Sequence, residues 1–328
     1  MTDPSPPAWE RSVLERVALK ALDEQRRSRQ WGALFKLLWL IFWFLVLAAW
    51  MGWIGRPGEK DVTGAASVGK HTALVKLEGV IGPEGKASAD RIIKALDRAF
   101  KDPTTEGVVL LINSPGGSPV QAGYINDEMR RLRAKYPKTP LYAVVQDLCA
   151  SGGYYVAVAA DRIYVDKASL VGSIGVIING FGFTGTMDKL GIERRAYTAG
   201  ENKDFLDPFA PENPAQKEYA QKMIGEIHQQ FIDVVKKGRG ARLKETPDMF
   251  SGLIWTGEKS VELGLTDGFG TAQSVARDVI KAEKLVDYMP DDAAWFLEAL
   301  SRRLGTTFGT AFGRAAVESA ASGVGGLR

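Results

Sequence analysis

The chain is poor in the side chains that build disulfides and many metal sites: its 328 residues include one cysteine, Cys149, and two histidines. A single cysteine excludes a disulfide within the chain, and with it the disulfide framework of a small secreted domain. The formal net charge of +3 is small, and no basic stripe alternates with aromatic residues. The sequence therefore gives no indication of nucleic-acid binding. We expect no cofactor and no metal.

One long apolar run stands near the amino terminus. Leu37–Ile54 contains 18 residues without a charge. As a helix rising about 1.5 Å per residue, the run would span about 27 Å, close to the thickness of a bilayer core. Five of the eight tryptophans lie between Trp31 and Trp53, and tryptophan is typical of membrane interfaces. We predict a retained single-pass anchor rather than a buried core helix or a cleaved signal peptide.

Flanking charge predicts the orientation of this anchor. Four basic residues between positions 26 and 36 precede it, whereas the basic residues that follow are offset by acids. The positive-inside rule then places residues 1–36 in the cytoplasm and the chain after Ile54 outside. We divide the rest into a linker (55–70), a folded domain (71–288) and a carboxyl-terminal helix with a flexible tail (289–328).

Strand-like and helix-like runs alternate through the folded domain. The strand-like runs are Ala73–Ile81, Gly107–Ile112, Leu141–Val145, Arg162–Val165, Ile174–Ile178 and Arg195–Thr198. The helix-like runs are Ser88–Phe100, Val120–Lys135, Gly152–Ala160, Thr186–Leu190 and Pro214–Lys237. Strands that alternate with crossover helices predict an α/β fold with a mostly parallel sheet covered on both faces.

Ser151 lies in Leu148–Val156, between an apolar strand-like run and an alanine-rich helix-like run. A serine there would stand at the carboxyl end of a strand and the amino end of a helix, beside backbone N–H groups that stabilise a developing anion. Gly152 and Gly153 lack the Cβ atoms that would keep a substrate backbone away. The alternative is a well-packed turn without chemistry, and such turns are common.

A second glycine turn follows another strand-like run, at Asn113–Ser118. If this turn lies beside Ser151, its N–H groups would form an oxyanion hole; otherwise it is only a turn. A serine nucleophile also needs a base, but His71 and His228 carry no local signature. A lysine can take that role in Ser-Lys variants of the catalytic triad. Spacing alone does not select Lys203 over the other lysines.

Four motifs together resemble the signal peptide peptidase A (SppA) family of membrane-anchored serine peptidases, over residues 73–286. They are Asn113-Ser-Pro-Gly-Gly, Ala150-Ser-Gly-Gly-Tyr-Tyr, Leu170-Val-Gly-Ser-Ile-Gly-Val, and Gly200-Glu-Asn-Lys-Asp followed by Pro208. The resemblance implies that Ser151 is the nucleophile, Lys203 the general base and Ser173 the residue that orients the lysine amine. It implies an oxyanion hole at the backbone N–H of Gly117, to which we add Gly152. The implied fold is the crotonase-like sheet shared with ClpP-type peptidases.

The resemblance also implies partners. It implies an octameric ring of protomers, in which single-repeat members can supply serine and lysine from neighbouring subunits. The implied substrates are cleaved signal peptides and other hydrophobic segments in or near the bilayer. Four aromatic residues beside the motifs would line an apolar groove, or instead belong to the core or a subunit interface: Phe181, Phe183, Phe205 and Phe209. Cys149 departs from the expected pattern, and we interpret it as a small buried side chain beneath the turn.

Two other functions are compatible with such a fold. One is a membrane-anchored crotonase-like protein that handles acyl-thioesters, where paired turns would stabilise an enolate. The other is a catalytically silent assembly scaffold. The anchor, its outward orientation and the Ser-Gly-Gly turn argue against the first. The combination of Ser151, Lys203 and Ser173 argues against the second.

Overall fold

The computed structural model describes residues 31, 34–44, 46 and 69–290. The chain divides into two compact units, Met1–Ser67 and Val68–Arg328. In the first unit, residues 34–44 are helical and their apolar side chains are exposed. Within the described ranges, no helix is long and apolar enough to cross a membrane. Residues 1–30, the second half of the predicted anchor, nearly all of the predicted linker, and residues 291–328 lie outside the described residues.

The second unit is built on one eight-stranded sheet in which a single pairing, β5 with β6, is antiparallel. The strands are β1 (His71–Glu78), β2 (Thr105–Ser114), β3 (Leu141–Ala150), β4 (Arg162–Val165), β5 (Leu170–Gly172), β6 (Ile254–Thr256), β7 (Gly268–Phe269) and β8 (Leu285–Asp287). Their order is β6-β5-β3-β2-β1-β8, with β4 paired to β3 and β7 paired to β4. The predicted α/β class with a mostly parallel sheet is confirmed.

Helices connect the parallel strands. They are α1 (Ala89–Lys101), α2 (Pro119–Lys135), α3 (Gly152–Ala157), α4 (Thr184–Leu190), α5 (Pro214–Arg239), α6 (Gly257–Glu262) and α7 (Ala272–Ser274). Helix α1 shows why these segments fold as they do, since Ile92, Leu96 and Ala99 recur at helical spacing and are fully buried. Because α1, α2 and α3 each return the chain to the start of the next strand, β1 to β4 all run in the same direction.

The central strands are buried on both faces. In β2, Val108, Val109, Leu110 and Ile112 have no exposed surface. Val109 packs into a small cluster on one face of the sheet, whereas the other three belong to the large core on the opposite face. This division follows from the two-residue repeat of a strand, and continuous apolar runs are what a sheet covered on both sides requires.

Two of the predicted strands are wrong. Residues 174–178 and 195–198 form no strand, and the pairing segment is instead β5, just before the first of them. Both lie in or at the start of a largely exposed segment, residues 176–213, which we call the excursion; Ile177 is 79% and Tyr197 is 94% exposed. Helix α4, within the excursion, has no buried residue. Strand propensity alone does not form a strand where no neighbouring strand is available to pair with it.

A buried polar network closes the amino edge of the sheet, opposite the edge at which Ser151 follows β3. His71 Nε2 lies 2.9 Å from the Tyr288 hydroxyl, which donates to Asp102 at 2.5 Å. His71 and Tyr288 are 1% and 3% exposed. The network joins the first and last parts of the folded unit, which gives His71 a structural role.

Candidate active site

Ser151 is held in a strained backbone conformation between β3 and α3. Its φ of 50° and ψ of −122° lie outside the regions that residues with a side chain ordinarily adopt. The N–H of Ser151 donates to the carbonyl of Gly172 at 2.8 Å, which ties the turn to the end of β5. Such strain persists only where the surroundings hold it, and it is concentrated at functional sites.

The second glycine turn lies directly against Ser151. Strands β2 and β3 are neighbours, and Ser114 pairs with Cys149, so both strands end at the same edge. A Cβ placed on Gly116 would lie 2.6 Å from the backbone nitrogen of Gly152 and 2.7 Å from the Cβ of Ser151. Only glycine permits this approach, so the contact predicted conditionally from the sequence is present.

Two backbone N–H groups next to Ser151 have no acceptor among the described residues: those of Gly117 and Gly152. The nitrogen of Gly117 lies 3.3 Å from the position that a Cβ on Gly152 would occupy. Around Gly117, Ile81 donates to the Gly116 carbonyl and accepts from the N–H of Ser118, both at 2.8 Å. This arrangement of unused donors beside a serine can stabilise an oxyanion.

Ser173 lies at the same edge of the sheet. Ala150 pairs with Gly172, so Ser151 and Ser173 follow neighbouring strand ends. Ser173 has a φ of 51°, and its N–H donates to the carbonyl of Leu253 at 2.7 Å. Both serines therefore sit in strained conformations that adjacent strands hold in place.

Lys203 is placed differently. It is exposed, and it stands in a turn of the excursion, where its N–H donates to the Gly200 carbonyl at 3.2 Å. Residues 194–198 and 203–208 line a shallow cleft there. The Lys203 side chain is exposed and lines this cleft, and among the described residues it makes no hydrogen bond or ion pair with Ser151 or Ser173. A single chain thus brings the two serines and the glycine turns together without engaging the lysine.

The excursion also carries an exposed aromatic cluster. The Phe183 ring lies 5.4 Å from that of Phe209 and 6.3 Å from that of Phe181, which is 79% exposed. Phe205 contacts Tyr219 instead, at 5.8 Å. Of the alternatives left open by the sequence, a place in the core is wrong for Phe181, Phe183 and Phe209.

Cys149 is fully buried beneath the turn, as predicted. Burial raises the pKa of its thiol well above the ordinary value, and the neutral thiol is a poor nucleophile. His228 has a structural role, since its Nε2 lies 3.1 Å from the carbonyl oxygen of Ile174, just before the excursion begins.

Sequence reasoning missed two residues of the site. The sequence predicts Gly116 only as part of a turn, whereas in the structure it lies directly against Ser151. The local signal for it is the first glycine of the Pro-Gly-Gly motif. Trp255 packs its ring against Gly172, within 3.0 Å of where a Cβ would stand. No local pattern pointed to Trp255, because its contact spans more than eighty residues of sequence.

Comparison with known proteins agrees with this geometry. The model of peptidase family S49 matches residues 133–286. A putative protease of Methanocaldococcus jannaschii is 35% identical over 234 residues, which cover 71% of this chain and 73% of that protein. The chain belongs to peptidase family S49.

Other relatives match this chain over different shares of their own length. A putative signal peptide peptidase SppA of Enterococcus faecium is 29% identical over 226 residues, 66% of this chain and 65% of that protein. A protein of Brucella melitensis named as the Na(+)/H(+) antiporter NhaA is 44% identical over 209 residues, 62% of this chain but only 28% of the relative. The predicted SppA-family membership is confirmed, and the chain spans less than two thirds of the length of the first curated relatives that it matches.

Proposed function

We propose that this S49 peptidase is a membrane-bound endopeptidase in which Ser151 is the nucleophile. The observation that carries the proposal is the strained Ser151 turn, which lies against Gly116 and beside the unused N–H groups of Gly117 and Gly152. As the Ser151 oxygen bonds to the scissile carbonyl carbon, these two N–H groups would bind the negative oxygen that forms. Removal of one such donor costs about 10²–10³ in kcat in a comparable site.

Lys203 is our proposed general base, with Ser173 orienting its amine. The amine takes the hydroxyl proton as the ester to Ser151 forms, and it returns that proton to the leaving amine as the C–N bond breaks. Water then hydrolyses the ester by the same proton transfers. An amine accepts a proton only when neutral, and at an ordinary lysine pKa only about one in 10³ is neutral at pH 7. Burial lowers a lysine pKa by up to about 3–5 units.

A neighbouring subunit would supply that burial. Lys203 and the cluster of Phe181, Phe183 and Phe209 share the exposed excursion, and exposed apolar patches are typical of interaction surfaces. We therefore propose a homo-oligomeric ring, octameric as in the predicted family pattern, in which Lys203 meets Ser151 across a subunit boundary. The crotonase/ClpP-like version of the α/β fold is part of the same proposal.

The proposed substrates are cleaved signal peptides and other hydrophobic peptides in or near the membrane. Support comes from the apolar run of residues 37–54 and from the name of the Enterococcus faecium relative. The proposed location is a bacterial inner membrane, with residues 1–36 cytoplasmic and the peptidase domain outside. A linker of residues 55–70 reaches at most about 55 Å when extended, so the domain would work close to the bilayer.

Cleavage of a fluorogenic apolar peptide by the detergent-solubilised protein tests the mechanism. The wild type is compared with Ser151→Ala, with Lys203→Ala and with a mixture of the two variants, and oligomeric state is measured for each. We expect both variants to be inactive and the mixture to recover activity, because mixed rings would contain intact serine–lysine pairs.

Each other outcome refutes a defined part of the proposal. Activity in Ser151→Ala would exclude this nucleophile, and activity in Lys203→Ala would place the base elsewhere. A mixed assembly of the two variants without activity would confine the pair to one subunit. A wild-type ring that neither cleaves peptide nor reacts with a serine-directed probe would favour the scaffold, and binding of acyl-coenzyme A would favour the thioester function.

A further inference from the structure

Ser114, at the end of β2, is fully buried. Its hydroxyl makes two hydrogen bonds at once. It donates to the carbonyl of Gly79 at 2.7 Å and accepts from the N–H of Gly116 at 3.1 Å. A hydroxyl is among the few small side chains that can serve as donor and acceptor in the same place.

These two bonds belong to a set of hydrogen bonds that hold the glycine turn in place. Three further bonds join the segment after β1 to the turn, and all of them run between backbone groups: Gly79 N–H to the Asn113 carbonyl at 2.9 Å, Ile81 N–H to the Gly116 carbonyl at 2.8 Å, and Ser118 N–H to the Ile81 carbonyl at 2.8 Å. Backbone bonds survive a change of side chain. The Ser114 hydroxyl is the one brace in this set that a substitution removes.

The Ser114 hydroxyl acts on the Pro115–Gly116 peptide, which directly precedes the peptide that carries the N–H of Gly117. Gly116 and Gly117 have φ values of 97° and 145°, a region open to glycine and therefore poorly restrained by the backbone itself. With its N–H held by Ser114 and its carbonyl held by Ile81, Gly116 is fixed at both ends. The direction of the next N–H, that of Gly117, follows from this.

Ser114 also packs against the turn that follows β3, on the Ser151 side of the site. Its carbonyl oxygen and its Cβ lie 3.1 Å and 3.4 Å from where a Cβ on Gly153 would stand, at the start of α3. The same residue therefore spaces the two glycine turns and orients one of them.

We propose that Ser114 is a positioning residue for the oxyanion hole: its hydroxyl aims the N–H of Gly117 without touching substrate. The inference rests on the proposed role of Ser151 as nucleophile. Loss of the hydroxyl leaves the Gly79 carbonyl and the Gly116 N–H without their buried partner. The Pro115–Gly116 peptide then loses a restraint, and the turn that carries the N–H of Gly117 is held by its backbone bonds alone.

The test uses the full-length, detergent-solubilised protein and compares Ser114→Ala with Ser118→Ala. Ser118 stands in the same turn, but its hydroxyl only accepts from the N–H of Gln121 as the cap of α2. For each variant we measure kcat and KM on a fluorogenic apolar peptide, and inhibition by a peptide boronate and by a non-reactive peptide of the same sequence. The boronate adduct on serine is tetrahedral and places a negative charge near the oxyanion hole; the non-reactive peptide does not.

We expect Ser114→Ala to lower kcat about 10- to 100-fold with little change in KM, somewhat less than the loss of a whole donor. Its affinity for the boronate should fall in parallel, while its affinity for the non-reactive peptide stays. Ser118→Ala should keep the wild-type kcat. Because Ser114→Ala can fail to fold, Ser114→Thr and Ser114→Val provide a pair of matched shape, of which only Thr retains the hydroxyl and should retain activity.

Equal kcat in the Thr and Val variants would overturn the inference, as would equal weakening of both inhibitors in Ser114→Ala, since a merely structural residue predicts that result. Activity in Ser151→Ala would overturn the proposed nucleophile and this inference with it. An inactive Ser151→Ala beside a fully active Ser114→Ala would overturn this inference alone.

Discussion

Substitution of Gly116 by alanine tests how closely the two turns of the site must fit. The added Cβ would lie 2.6 Å from the nitrogen of Gly152, 2.7 Å from the Cβ of Ser151 and 2.8 Å from the carbonyl oxygen of Ala150. None of these atoms can rotate away. To bring the Ser151 contact from 2.7 Å to the ordinary limit of 3.4 Å, the turns must separate by about 0.7 Å. The φ of 97° adds strain on the order of 1–3 kcal/mol for a residue with a side chain.

This separation should reduce catalysis more than binding. A misplacement of about 1 Å costs roughly 10²-fold in rate, which corresponds to about 2.7 kcal/mol of barrier. We therefore expect Gly116→Ala to lower kcat by about 10- to 100-fold with KM nearly unchanged. Gly123→Ala is the matched control, because no atom lies within 4 Å of its added Cβ in α2. It should keep activity and stabilise the helix by about 0.5–1 kcal/mol.

The assay is cleavage of a fluorogenic apolar peptide at saturating and limiting concentrations, beside thermal unfolding of both variants. A folded Gly116→Ala protein with the kcat of Gly123→Ala would refute the argument that the two turns act as one site. If Gly116→Ala is less stable, its activity is measured below its melting temperature, where the variant is still folded. Lost activity can then be told apart from lost folding.

Three further predictions follow from buried groups. Cys149 should resist alkylation at pH 8 until denaturant is added, because burial raises the pKa of its thiol; rapid labelling of the native protein would contradict this. Cys149→Ser should keep peptidase activity, and loss of turnover with normal folding would contradict that. Burial and the hydrogen bond to Asp102 raise the pKa of Tyr288 to about 12. Its contribution to the free energy of unfolding is therefore complete below the pKa of tyrosine in the unfolded chain, near 10, and falls by at most about 3 kcal/mol as pH rises toward 12. In urea unfolding, the difference in stability between wild type and Tyr288→Phe should shrink over that pH range, and a constant difference would count against the prediction. Arg239 is 2% exposed and forms an ion pair with Asp267 at 2.8 Å. Asp267→Asn should therefore lower the free energy of unfolding by about 3–5 kcal/mol, and a loss below about 1 kcal/mol, which is typical of a surface pair, would refute the argument from burial.

Several features of the fold could be predicted because they are local. The apolar faces of α1 and α2 and the buried run of β2 follow from periodicity, and the glycine turns after β2 and β3 follow from turn chemistry. The two strands predicted in error, at 174–178 and 195–198, failed for a non-local reason. Their residues have strand propensity, but in the excursion the described chain offers them no strand to pair with.

In the site, too, the local features could be predicted and the non-local ones could not. Ser151 could be singled out from its motif, and its place between a strand and a helix needed nothing beyond the neighbouring residues. The parallel α/β class, the two glycine turns and the burial of Cys149 beneath one of them therefore follow from local sequence patterns.

Which of these features lie next to one another depends on the folded arrangement of the whole domain. It placed β5 beside β3, so that Gly172 binds the N–H of Ser151 and Ser173 stands next to it. It pressed Gly116 against Ser151 and left Lys203 exposed on the excursion. Turn and strand signals act over a few residues, whereas strand order and the contacts between turns depend on packing across the whole core, which no short stretch of sequence encodes.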